Sequence, residues 1–207
     1  MSRQGHSTAL QIGVWGLTAF FGGSALGGAH TWDVNELFSN ADGTIQFIEL
    51  RETNGTNNET GVSFGTMSSN TKSFSISGSP ISPPTSDKYY LIATASFAAL
   101  PGAPTPDAII PTGVLPYFFS INGDSVRYVP YDTLTFGAGA LPTDGVNSLN
   151  RNLTTGPNSP TNYAGQTGSV DASPPIPAVS TWGLIVLAAL IACAGTVLVA
   201  HRRTAAA

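Results

Sequence analysis

Four carboxylates, Asp33, Glu36, Asp42 and Glu49, fall within one short run of the 207-residue chain. Gathered in space, such groups have three chemical uses. They can hold a hard cation such as Ca²⁺ through oxygen. Two that face each other across a cleft can hydrolyse a glycosidic bond as acid and base, and here Glu36 and Glu49 would be that pair. Buried carboxylates can also be structural, each held by a cation, and Arg51, Arg127 and Arg151 are the partners on offer. No Asp-x-Asp-x-Asp-Gly loop surrounds the four, and Ca²⁺ takes about six to eight oxygens, more than two alternating strands readily aim at one point. No cofactor is expected, Ca²⁺ on these carboxylates being the one candidate, and the expected function is not enzymatic.

Other chemistries lack their residues. The histidines are His6, His30 and His201, and Cys193 is the single cysteine. Only His30 lies away from the two apolar ends. A Ser-His-Asp triad, a cysteine nucleophile and a zinc site of His and Cys ligands are therefore excluded from the middle of the chain, as are disulfides. That middle holds all 12 acidic residues and five basic ones (Arg51, Lys72, Lys88, Arg127, Arg151), so 5 minus 12 leaves a formal charge of −7. Nucleic acid, which needs a basic face, is not an expected partner.

The elements that must position the carboxylates read as β. Short β-branched and aromatic runs are bounded by Gly, Pro, Asn and Ser, with no sustained helical period. The expected strands are Trp32 to Phe38, Thr44 to Leu50, a weak one in "GVSFGTM", Lys72 to Ser77, Lys88 to Thr94, Tyr117 to Ile121, Ser125 to Tyr131 and "DTLTF". Seven or eight such strands suit an immunoglobulin-like sandwich. Strict alternation puts Trp32, Val34, Glu36 and Phe38 on one face of the first strand and Asp33, Asn35 and Leu37 on the other. Glu49 alternates with Ile48 and Leu50 in the second, so both Glu36 and Glu49 sit among apolar neighbours. Asn122-Gly123 predicts a two-residue type I′ hairpin. The proline-rich "ALPGAPTPDAIIPTGVLP" reads as a long loop, "RETNGTNNETG" as a mobile one, and residues 152–175 as a flexible linker.

Both ends carry export features. Arg3, an apolar stretch from Ala9 to Phe21 and the small residues of "GGSALGGAH" have the order of a secretory leader. The cut is placed after Ala29, with cleavage after Gly27 as the alternative. At the other end Trp182 to Ala200 is a run of 19 residues without charge, long enough as a helix to cross a bilayer core of about 30 Å. Arg202 and Arg203 follow and would stay on the inner side.

"IPAVSTWG", an apolar helix and an Arg pair together resemble the bacterial C-terminal sorting signals of the PEP-CTERM type, in the variant that reads Ile-Pro-Thr-Leu-Ser-x-Trp-Gly. Ile176, Pro177, Ser180, Trp182, Gly183, Arg202 and Arg203 carry the likeness, while Ala178 and Val179 depart from Thr-Leu. The resemblance implies a membrane-embedded processing enzyme as partner. A permanent single-span anchor is the other reading. The order "VNELFSNADGTIQFIEL", "YYLIATASF", "FSINGDSVRY" and "LPTDGVNSLNR" is similar to the lamin-tail family of immunoglobulin-like domains, which implies a binding or scaffold module without a catalytic set. The expected organisation is a signal peptide (1–29), a lamin-tail-like β-sandwich (30–151), a linker (152–175), and the sorting motif, transmembrane helix and basic tail (176–207). Such a protein would be anchored in the cell envelope through its C-terminus before processing, then act at the surface or outside the cell. Its role would be structural or adhesive, toward an extracellular matrix protein or polysaccharide. A Ca²⁺-dependent carbohydrate- or protein-binding module is the alternative, and a carboxylate-based hydrolase a more distant one.

Overall fold

The computed structural model describes residues 27–174, 183 and 185–194. Ten strands fall among them: β1 (Trp32–Ser39), β2 (Gln46–Glu52), β3 (Thr66–Ser68), β4 (Ser73–Ser75), β5 (Tyr89–Ala93), β6 (Ala108–Ile109), β7 (Asp124–Val129), β8 (Asp132–Phe136), β9 (Asn147–Asn150) and β10 (Thr155–Pro157). They build a β-sandwich. One sheet has the order β10-β9-β1-β2-β5-β6 and the other β4-β3-β7-β8. All pairings are antiparallel except β5 with β6. The main core lies between the sheets, where Trp32, Val34, Ile48, Leu50, Tyr90 and Ile92 pack in one cluster with Met67, Phe74, Val126, Tyr128 and Leu134.

Strict alternation fails in β1, and the failure decides where Glu36 goes. Val34 lies opposite Leu50 and Glu36 opposite Glu49, so Asn35 is an extra residue, a bulge in the ladder. Beyond it the faces exchange. Leu37, not Glu36, joins Trp32 and Val34 in the main core. Glu36 and Phe38 turn to the outer face of the six-stranded sheet, and Phe38 enters a second cluster with Phe47, Leu91, Ala93, Phe97 and Val170.

Asn122-Gly123 does not close a hairpin between two strands. Tyr117 to Ile121 is no strand. Phe118 and Phe119 are fully buried instead, and the backbone that delivers them is met by a side chain. The Gln46 amide accepts from Phe118 N–H at 2.8 Å and donates to the Phe119 carbonyl at 3.0 Å. The Asp124 carboxylate then holds the turn, accepting from the N–H groups of Ser120, Asn70 and Ser125 at 2.7–2.8 Å. The tight hairpin of this region is β7–β8, joined through Pro130-Tyr131.

Residues 152–175, expected as a flexible linker, are packed through residue 173. After β10 the chain crosses the outer face of the six-stranded sheet, turns near Gly165 and comes back. This strap is pinned to itself by Val170 N–H to Asn158 Oδ1 at 2.8 Å and Gly168 N–H to the Pro160 carbonyl at 3.0 Å. Its close fit depends on glycine: a Cβ on Gly168 would lie 2.1 Å from the Gly102 carbonyl oxygen. The return leg ends on Ala172 N–H to the Gly145 carbonyl at 2.8 Å and Ser173 Oγ to the Asp144 carbonyl at 3.1 Å. Low apolar content misled the linker reading, because this segment is held mainly by hydrogen bonds, with Val170 and Ala172 on the second cluster and Tyr163 against the main core as its few apolar contacts.

The loop expected to be mobile, Arg51 to Gly61, is pinned too. Glu52, at the end of β2, is fully buried and accepts from the N–H groups of Asn54, Gly55, Thr56 and Asp87 and from the Thr56 hydroxyl. Burial works against its charge, but these donors outweigh burial and bring its pKa down to about 2.

At the C-terminal end, residues 185–194 are helical and expose Ile185, Val186, Leu187, Leu190 and Ile191. Among the described residues no helix is long and apolar enough to cross a membrane. The rest of the expected span, Trp182, Leu184 and residues 195–200, lies outside them, as do residues 1–26.

Candidate functional site

The bulge at Asn35 sets Glu36 and Glu49 directly opposite each other on β1 and β2, facing out of the sandwich. Both are about 1% exposed. The strap covers them. Glu36 Oε1 accepts from Ser148 Oγ at 2.5 Å and Ser159 N–H at 2.9 Å, and its Oε2 accepts from Ser159 Oγ at 3.0 Å. Glu49 Oε1 accepts from Asn35 Nδ2 at 2.7 Å and Oε2 from Thr161 N–H at 2.7 Å. The bulged residue thus also orients the pair that its insertion created.

Asp107 continues the series, accepting from Tyr163 N–H at 2.9 Å and from Leu91 N–H of β5 at 2.8 Å. Ser159, Thr161 and Tyr163 are alternate residues of one extended leg, and their amides land on carboxylates of β1, β2 and the approach to β6. Side-chain oxygens replace the neighbouring strand that such amides would otherwise need. Burial, reinforced by the charge of Glu36, pushes Glu49 up to about 8, against the hydrogen bonds of Asn35 and Thr161 and the more distant Arg51. Burial also raises Asp107.

None of the three expected cations holds this pair. Arg151 instead forks onto Asp132 at 2.8 and 2.9 Å, donates to the Val34 carbonyl at 2.9 Å and lies 3.5 Å from Asp33. Arg51 reaches Asp87 at 3.4 Å. Arg127 donates to the carbonyls of Ser69 and Ser125 and to the Asn70 side chain. A buried guanidinium is unnecessary where amide donors already meet the carboxylate oxygens.

The four carboxylates singled out in the sequence are not brought together. Asp33 sits near the start of β1 beside Thr53 and Arg151, whereas Asp42 caps the β1–β2 turn at the other end, accepting from Thr44 N–H and Oγ1. Among the described residues no three of His, Cys, Asp or Glu form a group that could hold a metal ion. Glu36 and Glu49 alone converge, under cover and with their oxygens engaged. Asp107 and Glu52 went unnoticed in the sequence. A proline-rich loop and a strand end give no periodic signal that a carboxylate there is buried.

The surface offers a second feature. Phe64 is 59% and Tyr131 42% exposed, and with Val129 and His30 they border a concavity of about 400 Å³. His30 stands edge-on to Tyr131, their centroids 5.1 Å apart. At its wall the buried Tyr128 hydroxyl finds no hydrogen bond among the described residues.

Of the expected sorting residues, Ile176, Pro177, Ser180, Trp182, Arg202 and Arg203 lie outside the described residues, and Gly183 is helical and half-buried. A family model described as the IPTL-CTERM motif matches residues 174–203. No curated protein and no solved structure matches the chain. The match supports a C-terminal sorting signal on an exported protein with a β-sandwich fold. Its first residue directly follows Ser173, where the strap makes its last hydrogen bonds.

Proposed function

We propose that the protein is a non-catalytic structural or adhesive module of the cell envelope or extracellular matrix, delivered by residues 174–203. The observation that carries the proposal is the IPTL-CTERM match abutting a sandwich that is packed up to the matched segment. A membrane-associated sorting enzyme reads the signal, with the apolar run 182–200 holding the chain in the membrane until it is processed. The sandwich is a lamin-tail-like, immunoglobulin-like scaffold, in keeping with the order of its strand motifs. Two features favour a contact role over hydrolysis. The carboxylate pair is covered and its oxygens are engaged by the chain's own donors. The apolar group Phe64, Val129 and Tyr131 is left facing solvent, where a matrix protein or polysaccharide can rest.

The test is to express the full chain and a variant lacking residues 174–207 in the producing organism and to fractionate the cells. Full-length protein is expected in the envelope or matrix fraction, and the truncated form in neither. Equal retention of both would sink the sorting role. Phe64→Ser with Tyr131→Ser should leave delivery intact and lower attachment to the matrix; unchanged attachment would remove that surface from the proposal.

A further inference from the structure

The leader pattern admits more than one cut, and the fold discriminates between them. Gly27, Gly28 and Ala29 are built into the sandwich. Ala29 is 9% exposed and belongs to the main core with Trp32 and Val62. The Gly28 carbonyl accepts from Gly61 N–H at 2.9 Å. A Cβ on Gly27 would lie 2.1 Å from Thr60 Oγ1 and 2.5 Å from the Asn58 carbonyl oxygen, and one on Gly28 2.4 Å from Glu59 Oε1. One on Gly61 would lie 2.6 Å from the Gly27 carbonyl oxygen. Gly27 and Gly61 therefore interlock where backbone leaves no room for a side chain, and Gly28 lies against the Glu59 carboxylate. Next to them Glu59 accepts from His30 N–H at 2.6 Å, while its carbonyl accepts from Trp32 Nε1 at 2.8 Å.

A leader needs small residues only at the third and first positions before the scissile bond, and it makes no demand on contacts within the mature domain. Cleavage after Ala29 would strip that side chain from the core and leave Gly61 N–H without its acceptor. Cleavage after Gly27 would remove the residue wedged against residues 58–60. The next bond upstream with small residues at both positions is Ala25–Leu26, with Gly23 third and Ala25 first before the cut. We infer that the export peptidase hydrolyses the Ala25–Leu26 bond, so that Gly27, Gly28 and Ala29 remain as the first packed residues of the mature protein. One water is consumed. The amide C–N bond breaks, the hydroxyl joins the Ala25 carbonyl carbon to give a carboxylate, and the protons of the water and the new acid leave Leu26 with an α-ammonium.

This inference rests on the export reading, and the experiment separates the two. The full-length chain is expressed in the producing organism, and the exported form is characterised by intact mass and N-terminal sequencing. A chain that begins at Leu26 is expected. One that begins at Gly28 or His30, or that keeps residues 1–25, overturns the inference and leaves export standing; absence of the chain from every exported fraction overturns export itself. Gly23→Phe supplies the second arm, since it spoils the proposed bond alone and leaves the small residues of the other two cuts, Ala25 with Gly27 and Gly27 with Ala29, unchanged. The processed form should be lost and precursor should accumulate. Normal export of this variant with His30 at its N-terminus would overturn the inference.

Discussion

On the inner face of the six-stranded sheet Trp32, Val34, Leu37, Ile48 and Leu50 meet the side chains of the second sheet, and the contact is almost entirely hydrocarbon and aromatic. On the outer face Glu36, Glu49 and Asp107 meet the backbone amides of a strap, beside a small aromatic cluster. The first face is closed by a surface-driven, non-directional attraction. The second is closed by directional bonds to buried charge-bearing groups, which are strong only while every partner is in place. The inner face should therefore govern global stability and respond little to pH. The outer face should open locally and respond to pH strongly.

The largest expected effect tests the inner face. Trp32→Ala empties a fully buried site and should cost about 3–5 kcal/mol in urea unfolding, with the cooperative transition moving as a whole. A change confined to the strap would break the comparison.

The next effect is the pH response of the outer face. The folded pKa of Glu49, about 8, lies above its ordinary 4.5, so the folded protein binds more protons than the unfolded chain between those values. Its contribution is full below about pH 4.5 and is lost as pH rises toward about 8, on the order of a few kcal/mol across that window. Melting temperature should fall over this range in the wild type and fall less in Glu49→Gln, with Asp107 supplying the remaining slope in the same direction. Glu52, three residues along the same strand, gives the opposite sign. Its pKa is lowered to about 2, so its contribution is present above about 4.5 and is lost as pH falls through about 2. Acid unfolding should therefore be blunted in Glu52→Gln, and equal acid slopes in the two proteins would contradict this.

A smaller effect separates the strap from the sandwich. Glu36→Ala leaves the Ser159 amide and the Ser148 hydroxyl without their acceptor, at a cost of about 1–3 kcal/mol. Limited proteolysis should then cut within residues 158–163 before the sandwich unfolds. Glu49 should titrate lower once the neighbouring charge is gone. The smallest effect belongs to Arg151, whose fork onto Asp132 clasps the two sheets at a half-exposed edge. Arg151→Ala should cost about 0.5–1 kcal/mol by double-mutant cycle with Asp132→Ala.

The same contrast explains what could be read without coordinates. β1, β2, β4, β5, β7 and β8 were legible because apolar alternation, or in β5 a short continuous apolar run, marks a strand that buries side chains. Glu36 and Glu49 were legible as misplaced charges, yet their side of the sheet was not, because a one-residue bulge leaves no mark in composition. β9 and β10 were missed because such short polar strands show no apolar alternation, and the strap was missed for a different reason. A polar segment whose amides end on side chains has the composition of a linker. The hairpin predicted at Asn122-Gly123 failed similarly, since local turn preference yielded to the burial of Phe118 and Phe119 against Gln46.

The chain alone determined what depends on residue type and near-neighbour order: an all-β middle without thiols and almost without imidazole, an apolar run near the N-terminus, and a C-terminal motif with its basic pair. Those properties follow from side-chain chemistry and short-range spacing. Tertiary structure decided which carboxylates meet, that they bind amides rather than arginines or a metal, that residues 152–173 belong to the domain, and that Gly27 to Ala29 do as well. Each depends on pairing residues far apart in the chain: Glu36 with Ser159, Glu49 with Thr161, Gly28 with Gly61. Hydrogen-bond satisfaction is settled only when the whole fold has brought donor and acceptor together, and no local pattern records it.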